Sequence, residues 1–173
     1  MEFNRYDRVI GKDRINVRYR DRLDFEVPTD RLLVRALQLS ARRAGEAIPR
    51  TADVCVDSVF NAGLLDHSHV IEVGADAPSQ YRFDVFSETP TVSAGANHAC
   101  RLLGDYPGEA VKRWAMVDFP NVKREGVPLL STVTAKLSGR AVRYNRLVIP
   151  MSRDGRMVSH LFVAFTDNLV QVD

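Results

Sequence analysis

The sequence predicts an α+β domain built on an antiparallel sheet, and three patterns in the chain indicate this fold class. Residues 142–166 contain two β-rich runs joined by Ser152-Arg153-Asp154-Gly155, and Asp-Gly between such runs is a strong hairpin signal. A second pair of alternating runs begins at His69, and stretches with helical periodicity lie before and between the strands. At 173 residues and 45% hydrophobic content, the chain is the size of one domain that can bury most of its apolar surface.

Charge and cysteine content limit the partners and the compartment. The 24 Lys and Arg residues against 22 Asp and Glu residues give a formal charge of +2, far from the basic excess typical of nucleic-acid binders. The N-terminus lacks the apolar core of a signal peptide, and no apolar run approaches the roughly 18 residues that span a bilayer. With only two cysteines, Cys55 and Cys100, we expect a cytoplasmic protein with reduced thiols. We expect neither a nucleic acid nor a membrane as its partner.

The first segment, residues 1–27, is interpreted as an Arg-rich N-terminal extension, and residues 28–173 as the domain that follows it. Residues 14–20 alternate strictly, which predicts a half-buried strand. Arg14, Arg18 and Arg22 are also spaced four apart, which resembles the arginine doublet with which PilZ-type cyclic-dinucleotide receptors grip phosphate. The second element of that family, Asp/Asn-x-Ser-x-x-Gly, is missing downstream, so a solvated arm is the favoured interpretation.

Two helices are predicted before the first hairpin. Thr29 can cap the first of them, and Gly45 ends it. The second is short and runs from Pro49 to Gly63. The first helix is amphipathic, with a narrow apolar stripe formed by Leu32, Leu33, Ala36, Leu37 and Ser40.

The middle of the chain combines a hairpin with two further helices. From His69 the hydrophobic period is two, which predicts paired strands around Ile71 and Phe83. His67 and His69 would point the same way on a strand, but no third ligand follows at a useful spacing, so we expect no metal. Helices are predicted over residues 97–103, before Gly104, and from Gly108 to Pro120.

The last part of the chain predicts three more strands. Residues 129–137 form a β run that turns at Ser138-Gly139 into the C-terminal hairpin. A three-residue hairpin loop, with Gly155 in the left-handed conformation, would pair Leu147 with Leu161 and Met151 with Met157. The resulting expectation is a five-stranded antiparallel sheet with helices largely on one face and an N-terminal flanking helix.

Two motifs in this order resemble those of the PAS domain family. Residues 97–106, followed by Gly108-Glu109, resemble the N-x-A-x-x-x-L-x-G-Y motif and the following Glu of PAS domains, with one extra residue before the Tyr. The resemblance extends over roughly residues 64–167, and residues 29–60 resemble the N-terminal flank of a bacterial PAS subfamily. The C-terminal part of the chain resembles the family's P…D-G-x-V…D-I-T ending, through Ile149-Pro150, Asp154-Gly155-Arg156-Met157-Val158 and Phe165-Thr166-Asp167.

The resemblance implies a sensory module that takes part in signal transduction, with a sheet and covering helices that hold a small ligand or a packed core. It implies no haem, because residues 108–127 contain no axial His and His98 lies one helix earlier. It implies no flavin either, because Cys100 lies in the earlier helix, and we expect no cofactor at all. The ligand-facing residues expected from the resemblance are Tyr81, Phe83, Trp114, Val133, Leu147, Ile149 and Leu161.

Such a module would act by association, because few residues remain for an effector domain once the sheet and helices are assigned. We expect a homodimer, with a histidine kinase or another regulator as downstream partner. The alternative is a small α+β enzyme, but the expected inner strand faces carry almost no Asp or Glu and no Gly-x-Ser-x-Gly elbow occurs. The expected dimer interface consists of Leu32, Leu33, Ala36, Leu37, Val148 and Phe162.

Overall fold

A computed structural model describes residues 5–20, 23–26, 29–41, 46–86, 101–137 and 139–166. The helices are α1 (Arg31–Leu39), α2 (Val56–Asn61) and α3 (Glu109–Glu125). The strands are β1 (Arg5–Ile10), β2 (Asp13–Tyr19), β3 (Ser68–Glu72), β4 (Arg82–Phe86), β5 (Leu129–Leu137), β6 (Arg140–Met151) and β7 (His160–Phe165). All seven strands belong to one sheet in the order β1-β2-β5-β6-β7-β3-β4, and all neighbours are antiparallel.

The α+β class and the antiparallel sheet are confirmed, but the expected count of five strands is wrong. Residues 5–19, which the sequence placed in an N-terminal extension, form a hairpin that widens the sheet beyond β5. The predicted half-buried strand is β2, where Ile15 and Val17 are fully buried while Arg14 and Arg18 are exposed. The proposed boundary at residues 27 and 28 lies outside the described residues.

Helices cover both faces of the sheet, so the expectation of helices largely on one face is wrong. Helix α3 packs on β1, β2, β6 and β7, whereas α1 packs on β6 and β7 from the opposite side. The physical reason lies in the two central strands, since residues 144–151 of β6 and all of β7 are buried. Strands with apolar side chains on both sides need a helical layer on each side.

The C-terminal hairpin has a longer loop than predicted. Strand β6 pairs Leu147 with Ala164 and Met151 with His160, so the predicted pairs of Leu147 with Leu161 and Met151 with Met157 are wrong. The loop spans residues 152–159, and side-chain oxygens accept hydrogen bonds from several of its backbone N–H groups.

Two side chains and one glycine hold this loop. The Ser152 hydroxyl accepts hydrogen bonds from the N–H groups of Asp154 and Gly155. The Asp154 carboxylate accepts from the N–H groups of Arg156 and Met157, and these bonds, with one from Ser152, lower the pKa of Asp154 to about 2. The predicted left-handed conformation of Gly155 is confirmed, with φ of 79°.

The register decides which side chains share a face. Because the pairing differs from the predicted one by an odd number of residues, it moves β7 side chains to the other face. Leu161 and Val163 therefore pack under α3 with Val148. Leu147 and Ile149 pack with Phe162 under α1.

The remaining predictions about the elements are partly confirmed. The first hairpin is present and pairs Ile71 with Phe83. Helix α3 does not end at Pro120 but continues to Glu125, because a proline removes only one backbone donor and the buried stripe extends to Val122. Of the helix expected before Gly104, residues 97–100 lie outside the described residues, and a 3-10 turn begins at Leu103. No helix in the described part of the chain is long and apolar enough to cross a membrane.

His160, at the start of β7, makes the stability of the fold depend on pH. The Nε2 atom of its ring lies 3.3 Å from the Asp84 carboxylate, and the Nδ1 atom lies 2.9 Å from the Ser159 hydroxyl. Burial, and then the charge of Arg153, lower the pKa of His160 below its ordinary value of 6.5 although Asp84 and Glu72 oppose the shift. The folded state therefore favours the neutral ring.

We expect His160→Gln to reduce the decrease in the free energy of unfolding as the pH falls below neutral. Because the folded pKa is depressed, the stabilising contribution is fully present above about pH 6.5 and is lost as the pH falls through the folded pKa. Urea unfolding midpoints measured from about pH 7 down to about pH 5 should decline less in the variant than in the wild type. If the unfolding midpoints of the two proteins decline equally with falling pH, His160 is not the source of the pH dependence.

Candidate functional site

A small cavity lies between α3 and the sheet. Its volume is about 40 Å³, which is room for about three water molecules. Most of its wall is aromatic or aliphatic, and the polar groups come from His69, two tyrosines and one arginine. The lining residues are His69, Phe83, Leu103, Tyr106, Val111, Trp114, Ala115, Phe119, Tyr144, Arg146, Val163 and Phe165.

Arg146 is the charged residue in this wall. It belongs to the side of β6 that faces α3, and it is only 4% exposed. Its guanidinium carbon lies 3.7 Å from the centre of the Trp114 ring, close enough for a cation–π contact. One terminal nitrogen, Nη2, donates to the Asp118 carboxylate, whereas Nε is buried and has no hydrogen-bond partner among the described residues.

Helix α3 supplies the partners of Arg146. Trp114, Ala115 and Asp118 follow one another at helical spacing on its buried side, and Asp118 is 2% exposed. The Trp114 indole N–H donates to the Tyr19 hydroxyl across 3.2 Å. Burial, followed by the negative charge of Asp118, raises the pKa of Tyr19, so its hydroxyl stays protonated and donates to that carboxylate. A chain of polar contacts thus links β2, α3 and β6.

The two tyrosines of the wall are neutral donors and acceptors. Burial raises the pKa of Tyr144 to about 12 and also raises the pKa of Tyr106, so both phenols stay protonated at neutral pH. The His69 ring lies between aromatic neighbours, with centroids 5.0 Å from Phe165 and 5.9 Å from Phe83. The arrangement suits a ligand of about three non-hydrogen atoms that offers a hydrogen-bond acceptor to Arg146 and an apolar end to the rings.

The predicted ligand-facing set is divided between three places. Phe83 and Trp114 line the cavity. Tyr81, Val133 and Leu161 belong to the same core but do not line the cavity. Leu147 and Ile149 lie on the opposite face of the sheet, under α1, because the hairpin register differs from the predicted one.

Sequence reasoning missed Arg146, Tyr106, Tyr144, His69 and Phe119 as cavity residues. For Arg146 a signal was present, since it interrupts the apolar end of a long strand that must be buried on both sides. A charged side chain in that position is expected to be paired. Asp118 was the matching signal, because it lies on the apolar stripe of the helix predicted from Gly108 to Pro120.

The predicted dimer interface is not one exposed surface. Leu32, Leu33 and Ala36 are buried against the sheet of their own chain, and Leu37 packs partly against the same cluster. Val148 and Phe162 are fully buried on opposite faces of the sheet, Val148 under α3 and Phe162 under α1. The prediction that they share an outer face is wrong because it rested on the predicted hairpin register.

The sequence also raised a metal pair, His67 and His69, and a series of arginines spaced for phosphate. Among the described residues, no group of three or more His, Cys, Asp and Glu side chains could hold a metal ion. His98, Cys100 and Arg22 lie outside those residues. Arg14 forms an exposed ion pair of 3.7 Å with Asp7.

Comparisons with known proteins leave the function to be argued from this geometry. No family model, no curated protein and no solved structure matches the chain. The contacts around Arg146 therefore have to support any functional proposal on physical grounds.

Proposed function

We propose that the chain is a sensory and regulatory module of PAS type that binds a small molecule between α3 and the sheet and has no catalytic activity. The observation that carries the proposal is the buried Nε of Arg146 at the cavity wall, which has no partner among the described residues. A buried donor without an acceptor costs about 1–3 kcal/mol. A ligand that supplies the acceptor would recover that free energy on binding.

The charge balance around Arg146 defines the ligand class. Asp118 already balances the positive charge of the guanidinium. The cavity therefore favours a small neutral acceptor, such as a carbonyl or hydroxyl group, over an anion that would add a second negative charge. The surrounding rings of Trp114, Phe119 and Phe165 add apolar contacts.

A small α+β enzyme is the second candidate, and the observation that favours it is His69 in the cavity wall. If His69 acted as a general base, a carboxylate beside it would be needed to orient its ring and stabilise the protonated form. Asp118 does not line the cavity, and its charge is held by Arg146 and by Tyr19. The geometry therefore supports binding better than proton transfer.

Helix α3 is the element whose position would change when a ligand occupies the cavity. It contributes four of the lining residues, Val111, Trp114, Ala115 and Phe119, and it also packs on β1 and β2. A ligand that pushes α3 outward would change both contacts together. Val117, which is 41% exposed on α3, lies on the surface that a partner would sense.

We expect Ala115→Val to abolish ligand retention while the protein remains folded. Ala115 is 4% exposed and lines the cavity, so two added carbons occupy space that a ligand needs. Native mass spectrometry of the protein as purified should show a bound small molecule in the wild type and none in the variant. Val117→Leu, which enlarges an exposed side chain on the same helix, is the matched control and should retain the adduct.

One pair of results would reject the sensing function. If the wild type carries no adduct and Ala115→Val raises the melting temperature, the cavity is a packing defect that the larger side chain repairs. Retention of the adduct by Ala115→Val would instead place the ligand elsewhere in the protein.

A further inference from the structure

The face of the sheet that carries α1 is only half covered. Helix α1 packs on β6 and β7, and Leu130 at the start of β5 is buried in the same cluster, whereas Arg14, Arg18 and Lys136 farther out on β2 and β5 are exposed. The strand registers define which side chains share this face. They are Arg5, Asp7 and Val9 of β1, Arg14, Asn16 and Arg18 of β2, Thr132, Thr134 and Lys136 of β5, and Arg143 of β6; we call this set the basic face.

The basic face contains like charges in directly opposed positions. Arg5 pairs across the strands with Arg18, and Arg14 pairs with Lys136. Opposed residues on one face have Cβ atoms about 4.5–5.5 Å apart, and like charges at that separation are destabilising. The one carboxylate of the face, Asp7, lies 3.2 Å from Arg5 and 3.7 Å from Arg14 and compensates only part of this repulsion. A bound anionic surface would relieve the rest.

We propose that the basic face docks on anionic phospholipid headgroups. Its positive charges are spread over two dimensions, about 13 Å along β2 between Arg14 and Arg18 and about 14 Å across from β1 to β6. Five basic residues on one face form a cluster of the size that recognises acidic lipid surfaces. Val9, which is 67% exposed at the edge of the face, adds an apolar contact with the membrane interface.

Two other classes of partner fit the basic face less well. The face contains no aromatic side chain on which nucleic-acid bases could stack. The core of a protein–protein interface is depleted of charged residues and enriched in aromatic ones, which is the opposite of this composition. This proposal does not depend on the ligand cavity, and it revises the expectation, drawn from the total charge of the chain, that no membrane is a partner.

The test is sedimentation of the full chain with lipid vesicles at low ionic strength. We expect binding to vesicles that contain phosphatidylserine, no binding to pure phosphatidylcholine, and release at high salt. Because each basic residue near an anionic membrane contributes about fivefold, Arg14→Gln with Arg18→Gln should weaken binding about 25-fold. Arg113→Gln with Arg124→Gln removes the same charge from exposed positions on α3 and should leave binding within about twofold.

Three results would overturn the proposal. The first is equal sedimentation of the wild type with both kinds of vesicle. The second is a similar loss of binding in both double variants, which would indicate a nonspecific effect of net charge. The third is tighter binding to single-stranded RNA or duplex DNA than to the acidic vesicles at the same salt concentration, which would make nucleic acid the partner.

Discussion

Replacing Arg146 with methionine is expected to remove a large part of the folding free energy. Asp118 would then remain 2% exposed with its charge uncompensated by the guanidinium. Breaking a buried ion pair by removing one partner costs about 3–5 kcal/mol, and a domain of this kind has only about 5–15 kcal/mol in total. Urea unfolding followed by the fluorescence of Trp114, the single tryptophan of the chain, measures the loss directly.

The control for this variant replaces both partners. Arg146→Met with Asp118→Leu leaves no buried charge at these two positions, and an apolar pair of similar volume is often as stable as the ion pair it replaces. The double variant should therefore unfold at a higher urea concentration than Arg146→Met. If Arg146→Met alone stays within about 0.5 kcal/mol of the wild type, Arg146 and Asp118 do not form the buried pair described above.

The hairpins could be predicted from the sequence because their signals are local. Alternation around Ile71 and Phe83 marks two strands, and Asp154-Gly155 marks a turn. The pairing of β6 with β7 could not be predicted in the same way. Every residue of β7 is buried, so the apolar pattern of that strand carries no information about which face each side chain takes.

The candidate site could be predicted only in part. Trp114 and Phe83 were visible as apolar residues on periodic segments, and Arg146 and Asp118 were visible as polar exceptions in such segments. Their pairing depends on how α3 lies over β6, which no local pattern specifies. The basic face was hidden for a related reason, since the formal charge of +2 averages over a chain whose strands separate charges by face.

Phe162→Asp is expected to prevent stable folding of the domain. The sequence-based register placed Phe162 on an exposed dimer surface, from which Leu33→Asp together with Phe162→Asp would yield folded monomers. In the structure Phe162 is fully buried between β7 and α1, beside Leu33 and Ile149. Loss of the aromatic packing alone costs about 3–5 kcal/mol, and a buried carboxylate without a partner adds a further penalty.

Phe60→Asp is the matched control because Phe60 is the same residue type and is 65% exposed on α2. Circular dichroism and light scattering should show a folded protein for Phe60→Asp and an unfolded or aggregated one for Phe162→Asp. Folded, monomeric Phe162→Asp from a dimeric wild type would place this side chain on an outer surface. Such a result would contradict the pairing of Ile149 with Phe162 and restore the register in which Leu147 opposes Leu161.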